Sequence, residues 1–436
     1  MPRSFSVRRF SFRMAVPGRI AARSIPLAGL LGLTAATAHA VSPADRNTGV
    51  RHAGNGVTIV DIATPNTAGV SHNRHHAYDV AAAGLVLNNA APGQAHQPSM
   101  LAGALQANAR LHRPADVILN EVVSTNRSLL AGPTEVYGGR ADVVVANPNG
   151  ITCAGCEFLN TERVTLTTGA PQFDAVGALV GLDVTRGDVA FERSPTGTGM
   201  MRGPTTLDVV ARVIKVDSTV QARDLSLLAG TNRYDYRARQ LAGTTSPTDG
   251  HAQPFAIDST SLGGMYGERI RLVATEQGAG VRTRGAVGGW HTEVTVQSKG
   301  EYVQQGLLWG ANLALSSDGH MKLESLIRAG NALRVRAKGI FVGQQASVWA
   351  GNIDFAAEGR QPGVMPLLGD GKLLNLGDVV SATRIQVAAD LGVYSPGRLF
   401  GFGDVRIQAP WVMGDRSRMG MLYVNGSLTE RSGGIR

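Results

Sequence analysis

The sequence predicts an all-β protein made of many short strands. Three observations carry that prediction. Glycine is abundant at 55 of 436 residues, while aromatic residues are 5% and charged residues 17% of the chain. This balance suits strands joined by tight turns better than a helical bundle. Short runs with apolar residues two apart recur along the chain, at 207–213, 333–337, 339–342, 348–355, 385–387 and 405–407. Such alternation turns one face of each strand inward. The runs also return at short, fairly regular spacing, which points to the stacked rungs of a solenoid. Pattern alone leaves a propeller or a sandwich open.

Taken in order, residues 1–40 have the features of an export signal with an extended basic region. They hold Arg3, Arg8, Arg9, Arg13, Arg19 and Arg23, with no lysine and no acid, then an apolar run over 25–33 and the small-residue sequence Ala38-His39-Ala40. Cleavage is expected between Ala40 and Val41. The apolar run is too short for a permanent membrane span, and no later run reaches that length, so no stable transmembrane insertion is expected. The formal net charge of +9 also changes meaning, because setting those six arginines aside leaves 36 basic against 33 acidic residues. A mature chain so near neutrality gives no argument for a nucleic-acid partner.

Residues 41–70 are polar and contain one extended run at 56–62, which predicts a capping strand. A lead-in at 71–80 reaches the strand 84–89, which ends in Asn88 and Asn89. Pro92, Gly93, Pro98 and Gly103 break the pattern over 90–113, which predicts an irregular surface segment with a helical turn through 100–109. Strands resume at 115–123, followed by turns that contain Asn126 and a strand at 134–137.

Val143, Val144 and Val145 favour extended backbone. The turn Asn147-Pro148-Asn149-Gly150 follows. Pro148 presets φ, while Asn149 and Gly150 tolerate positive φ. Ile151 is placed to anchor the corner in the core. Cys153 and Cys156 predict one disulfide in an exported chain. The residues after them look like strand rather than helix, which favours a structural bond over a redox or metal role. Residues 234–254, rich in Gly, Thr, Ser and Pro, predict a loop leaving the solenoid.

Several patterns are candidate sites. His72, His75 and His76 form a cluster, but neighbours on a strand point to opposite faces, so no metal site is expected. Asp208, Asp217 and Asp224 are the nearest thing to a carboxylate row, and their uneven spacing favours a solvated face over catalysis. No phosphate loop ends in Gly-Lys-Ser/Thr, and no Gly-x-Ser-x-Gly elbow occurs. No catalytic residue and no cofactor is expected.

The stretch 146–156, with its returning strand 157–169, resembles the signature of the N-terminal secretion (haemagglutination activity) domain of two-partner secretion exoproteins, the filamentous haemagglutinin-like adhesins. Residues 72–89, 124–139 and 257–281 are similar to further stretches of that family. In one departure, the segment Thr125-Asn126-Arg127-Ser128-Leu129 lacks the proline of the family's upstream motif.

The resemblance implies a right-handed parallel β-helix with N-terminal capping strands and extra-helical hairpins. It implies a secretion domain over 41–290 and continuing rungs over 291–436, the shaft of an adhesin, whole or truncated. Asn147, Pro148, Asn149, Gly150 and Ile151, with Asn126, Asn88 and Asn89, would carry transporter recognition and the fold motif. The implied partner is an outer-membrane β-barrel with POTRA domains, with a host glycan or protein receptor as a further candidate. The product would pass through the periplasm to the cell surface or the medium. Two alternatives remain. One is the N-terminal part of a contact-dependent inhibition toxin without its toxin domain. The less favoured one is a β-helical carbohydrate-active enzyme.

Overall fold

The computed structural model describes residues 41–194, 203–248, 253–289, 291–359 and 369–431. The export signal expected over 1–40, including Ala40, lies outside the described residues, and Val41 opens the first strand. Strands dominate, and one 3-10 turn at Arg416–Arg418 is the sole helical element among the described residues.

The chain winds as a parallel β-helix. One early rung shows the plan: Val117–Val122, Ser128–Leu130 and Pro133–Gly138 lie on three successive faces. The next rung, Asp142–Ala146, Ile151–Cys153 and Glu157–Leu159, pairs with them strand for strand, all in parallel. Inward positions stack into one core. Ile118 lies beside Val143, then Val164, Leu207, Leu225, Ile270, Val294, Leu313, Leu333, Ile353, Ile385, Val405 and Leu422. Every member of that column is buried. Burying such a side chain contributes about 1.5–3 kcal/mol, so this column is a main cohesive term of the stack.

The start of the stack is closed by antiparallel pairing. Val41–Pro43 runs against Val70–Tyr78, and Gly49–His52 forms a hairpin with Thr58–Asp61. These strands cover the open edge that would otherwise template association. Segment 90–113 is not helical as expected. It lies over Ile59, Val86 and Tyr137, with its own Ala90, Leu101 and Leu105 packed against them. Its Met100 and Leu101 N–H groups donate to the Glu135 carboxylate, each at 3.0 Å, and Ser99 Oγ donates to it at 2.6 Å. A carboxylate from another rung thus takes the place of helical carbonyls.

The second departure lies at 234–254. Instead of a loop, Asn232–Asp235 and Gln240–Thr244 join Ala170–Phe173 and Leu179–Asp183 in a four-stranded antiparallel sheet outside the solenoid. Tyr234 and Tyr236 from this segment, with Leu179 and Leu182 from the neighbouring strand, pack on the outward residues Leu119, Val144, Val210 and Leu228. That explains why Val143, Val144 and Val145 are all apolar: this strand is buried on both faces.

The rung plan then simplifies. Leu308–Ser317 pairs with both Val287–Gly288 and Glu293–Ser298, and its pairing with the next long strand, Leu326–Ala337, shifts register between Gly310 and Asn312. From there each rung has one long bent strand and one short strand, as in Leu326–Ala337 followed by Gly339–Val342.

Candidate functional site

The turn after Asp142–Ala146 is built around the fully buried side chain of Asn147. Its Nδ2 donates to the Asn126 carbonyl at 2.9 Å and to Ser128 Oγ at 3.0 Å. Its Oδ1 accepts from the Asn149 N–H at 2.9 Å, and its carbonyl accepts from the Gly150 N–H at 3.0 Å. Asn149 Nδ2 then donates to the Ser124 carbonyl at 2.7 Å. A corner removes backbone groups from the sheet ladder, and these two amides replace the lost partners. Each such bond contributes about 1 kcal/mol, and leaving its partner buried and unpaired costs more.

Pro148 is half-buried at the turn. Gly150 sits at φ 103°, and a Cβ there would collide with the Arg127 guanidinium. Ile151 is fully buried, stacked between Ser128 and Val189. The corner therefore admits glycine for two reasons, the left-handed backbone and the close approach of an arginine from the rung before.

Asn126 belongs to the same corner one rung earlier. It is exposed, its Nδ2 donates to the His76 carbonyl at 3.0 Å, and its own carbonyl serves Asn147. The missing proline has not displaced this segment, because Ser128–Leu130 keeps parallel register with Ile151–Cys153. Arg127 reaches across one whole rung to Asp188 on the rung after it, at 2.7 and 3.1 Å, and Arg186 reaches Asn149 Oδ1 at 3.3 Å. Burial opposes the charge on Asp188, yet the Arg127 bonds, with Lys215 adding to them, hold its carboxyl below the ordinary range. The result is a polar column of Asn126, Arg127, Asn149 and Arg186 along one corner.

Asn88 and Asn89 do not join that column. Asn88 Nδ2 donates to Asp61 at 2.7 Å and to the Gln106 carbonyl at 3.1 Å. Asn89 bridges Ala115 and Gly139. They pin segment 90–113 across the first rungs. Cys153 and Cys156 are joined with Cα atoms 5.3 Å apart, and both side chains are buried.

The three histidines diverge. His72 Nε2 lies 2.7 Å from Glu121, His75 is buried beside Tyr78, and His76 is exposed. Among the described residues no group of three His, Cys, Asp or Glu side chains is placed to hold a metal ion. No helix among them is long and apolar enough to cross a membrane.

The aspartate row requires a correction. Asp208 is fully buried rather than solvated. Arg163 Nε contacts it at 3.0 Å and Arg239 at 2.9 and 3.1 Å, while Arg239 also holds Asp224 at 3.0 Å. The extra-helical sheet covers this position and brings Arg239 with it. Burial works against the Arg239 charge, but its bonds to Asp208 and Asp224 raise its pKa above the ordinary value. Asp217 stays half-buried, apart from this network.

Reasoning from the sequence missed Asn73, Asn108 and Asn120, all buried, and Glu135. Asn120 follows the apolar run 117–119 as Asn88 follows 85–87, a signal that could have found it.

A capped parallel β-helix carrying an antiparallel sheet on its flank is the architecture of this molecule. Its sequence matches the TPS secretion domain over residues 35–303, and the chain belongs to that family. It is 36% identical over 373 residues to the tRNA nuclease CdiA of Yersinia mollaretii, a match covering 80% of this chain and 12% of that protein. It is 40% identical over 304 residues to the filamentous hemagglutinin of Bordetella pertussis, covering 66% and 8%. The crystal structure of a filamentous hemagglutinin secretion domain superimposes with a TM-score of 0.57 at 36% identity, covering 71% of this chain and 99% of that one. The chain spans about a tenth of the length of these two relatives. The matched family is a secretion domain, not an enzyme family.

Proposed function

We propose that residues 41–290 form the segment by which an outer-membrane β-barrel transporter recognises this protein, through periplasmic POTRA domains, and exports it to the cell surface or the medium. The observation that supports this most is the corner column: Asn126, Arg127, Asn149 and Arg186 stand along one edge of successive rungs, held from beneath by Asn147. Charged and amide side chains fixed on a rigid ledge suit recognition of a folded or folding partner. A boundary near 290 is supported by the change of rung plan at Leu308–Ser317 and by the end of the family match at 303. The later rungs then continue as a shaft that can add coils one at a time outside the cell. The buried Cys153–Cys156 link closes a loop small enough to pass a barrel with the chain.

The experiment is co-expression with the neighbouring barrel gene, followed by fractionation of cells and medium. Export that depends on the barrel, and binding of the chain to its isolated POTRA domains, is the expected result. Equal export without the barrel would overturn the proposal.

A second reading is favoured by the names of the relatives, several of which are nucleases called CdiA. In that reading these residues are the exported front of a contact-dependent inhibition toxin. Sequencing the reading frame beyond the codon for Arg436 separates the two. The carbohydrate-active enzyme is least supported, because Asp208, Asp224, Asp258 and Asp404 are each held by arginines.

A further inference from the structure

The long sheet of the solenoid has an antiparallel strand at each end. At the start Val41–Pro43 runs against Val70–Tyr78, and at the far end Ser427–Arg431 runs against Gly420–Val424. Every other pairing in that sheet is parallel among the described residues. The far reversal is set by Asn425 and Gly426, with φ 48° and 85°. A two-residue turn whose twist matches its strands needs positive φ at both central positions, and Asn-Gly is the favoured pair. Asn425 also closes the ladder behind it. Its N–H donates to the Ile407 carbonyl at 2.9 Å. Its side chain then takes both backbone groups of Ala409: Oδ1 accepts from the N–H at 3.1 Å, and Nδ2 donates to the carbonyl at 3.0 Å. In a continuing coil those two groups would bond to the backbone of the next strand. Here a side-chain amide replaces that backbone, and the main chain is free to reverse. Thr429 Oγ1, donating to the Leu422 carbonyl at 3.1 Å, ties the returning strand down.

The second sheet of the solenoid stops at the same place. Val412–Gly414 is its last strand and is three residues long. So short an edge offers little template for pairing. Asp415 then turns the chain: its Oδ1 accepts from the Ser417 N–H at 3.1 Å, and its carbonyl accepts from the Arg418 N–H at 3.2 Å. Met419 is fully buried in the core, whereas Arg416, Ser417 and Arg418 are exposed. An apolar plug with a polar outer face is the feature that keeps a terminal solenoid coil soluble. The exposed Met413 and Leu428 point to the flanks. Met413 is in register with Tyr394, between the inward Val393 and Ser395. Leu428 lies opposite Tyr423, which continues the outward column of Arg406.

We propose that residues 409–431 are a built-in stop of the β-helix, which ends coil addition at this hairpin and keeps copies of the chain from joining end to end. A solenoid grows by laying each new coil parallel on the last. The outer edge of the long sheet is now a strand of the opposite direction, so a further parallel coil finds no matching edge. Chain that follows the hairpin, in either reading of the export function, leaves the stack instead of extending it. The same device guards the edge against a second copy, which would otherwise pair with the strand 420–424. The proposal goes beyond the secretion reading and does not depend on it.

The test measures hydrogen exchange and sedimentation of the purified chain. In the wild type, residues 420–429 should exchange about tenfold or more slowly than an unstructured peptide, and the chain should sediment as a monomer. The Asn425→Val/Gly426→Val variant places β-branched residues where φ must be positive. It should lose that protection and sediment as dimers and larger species, because the edge at 420–424 is freed. Gly278→Val is the control. Gly278 has φ 81° with open space around it, as Gly426 has, but lies far from both ends of the stack. This variant should stay monomeric. Unchanged far-ultraviolet dichroism shows that the coils persist in each variant. Four results would overturn the proposal: unprotected exchange at 427–429 in the wild type, a wild-type chain that already assembles, a double variant that stays monomeric, or Gly278→Val assembling as readily as the double variant. Barrel-dependent export is read separately and can succeed or fail independently of these results.

Discussion

Between residues 41 and 289 the molecule buries Asn73, His75, Asn88, Asn89, Asn108, Asn120, Glu135, Asn147, Asp208 and Asn232, among others. Between 291 and 431 the buried polar side chains among the described residues are Thr292, Ser298, Gln304, Ser317, Asn375, Ser381 and Ser395. The first group contains ionisable side chains and many amides; the second contains hydroxyls and two amides. The outer faces differ in the same way. The early rungs are covered by segment 90–113 and by the extra-helical sheet, while the later rungs present Arg334, Arg336, Asp354, Arg384 and Arg406 directly to solvent. One fold thus rests on two kinds of specification. Apolar stacking is tolerant and repeats easily. A buried amide or ion pair is satisfied in only one arrangement, so it specifies a particular structure. The tolerant chemistry lies mostly beyond the family match, and the exacting chemistry lies within it.

Asp208→Ala should be the most disruptive single change, because it leaves Arg163 and Arg239 without their buried partner. The expected cost is about 3–5 kcal/mol, seen as faster hydrogen exchange in 206–211 and 232–244 while 326–408 stays protected. A loss spread evenly over all rungs would erase the distinction between the regions.

Acid should also act on the early region first. Burial lowers the His75 pKa from 6.5 to about 4. An unfolded histidine takes up its proton near 6.5, so the unfolded chain binds more protons between those values. The stabilisation is complete above pH 6.5 and is lost as pH falls towards 4, by about 3 kcal/mol in all. Exchange measured across this window should rise in 70–78 and 117–122, and His75→Phe should flatten the dependence.

Asn147→Ala removes the partners of the Asn126 carbonyl, Ser128 Oγ and the Asn149 N–H, at a cost of about 2–3 kcal/mol by chemical denaturation. Arg384→Ala breaks the half-exposed pair with Asp404 in the later region, where Arg406 also contacts that carboxylate. Its effect should stay below about 1 kcal/mol. An Arg384→Ala cost as large as that of Asn147→Ala would show that the later rungs also depend on particular polar contacts.

Much of this was legible in the sequence, and the reasons are local. Alternation at 333–337 and 348–355 announced strands because one face meets core and the other solvent. The Asn147–Gly150 turn was legible from the φ preferences of its own residues. What stayed hidden depends on distant partners. Residues 234–254 looked like a loop because Gly243, Thr244 and their neighbours are turn formers, while Tyr234 finds its apolar surface on rungs far away in sequence. Asp208 looked solvated because nothing near it announces Arg239. The helical turn expected at 100–109 failed because Glu135 captures its N–H groups. Buried asparagines were hardest to see, since an amide that closes a ladder and an amide in water have the same local sequence.

The most direct test compares export of two variants beside the barrel partner: Asn147→Ala/Asn149→Ala in the early corner, and Ile353→Ala in the later core, a change of similar or greater expected cost. Signal cleavage and the fraction reaching the medium are followed by pulse-chase and fractionation. The account predicts that the corner variant is processed but held in the cell while Ile353→Ala is exported. Equal export of both variants, or retention of Ile353→Ala alone, would contradict it.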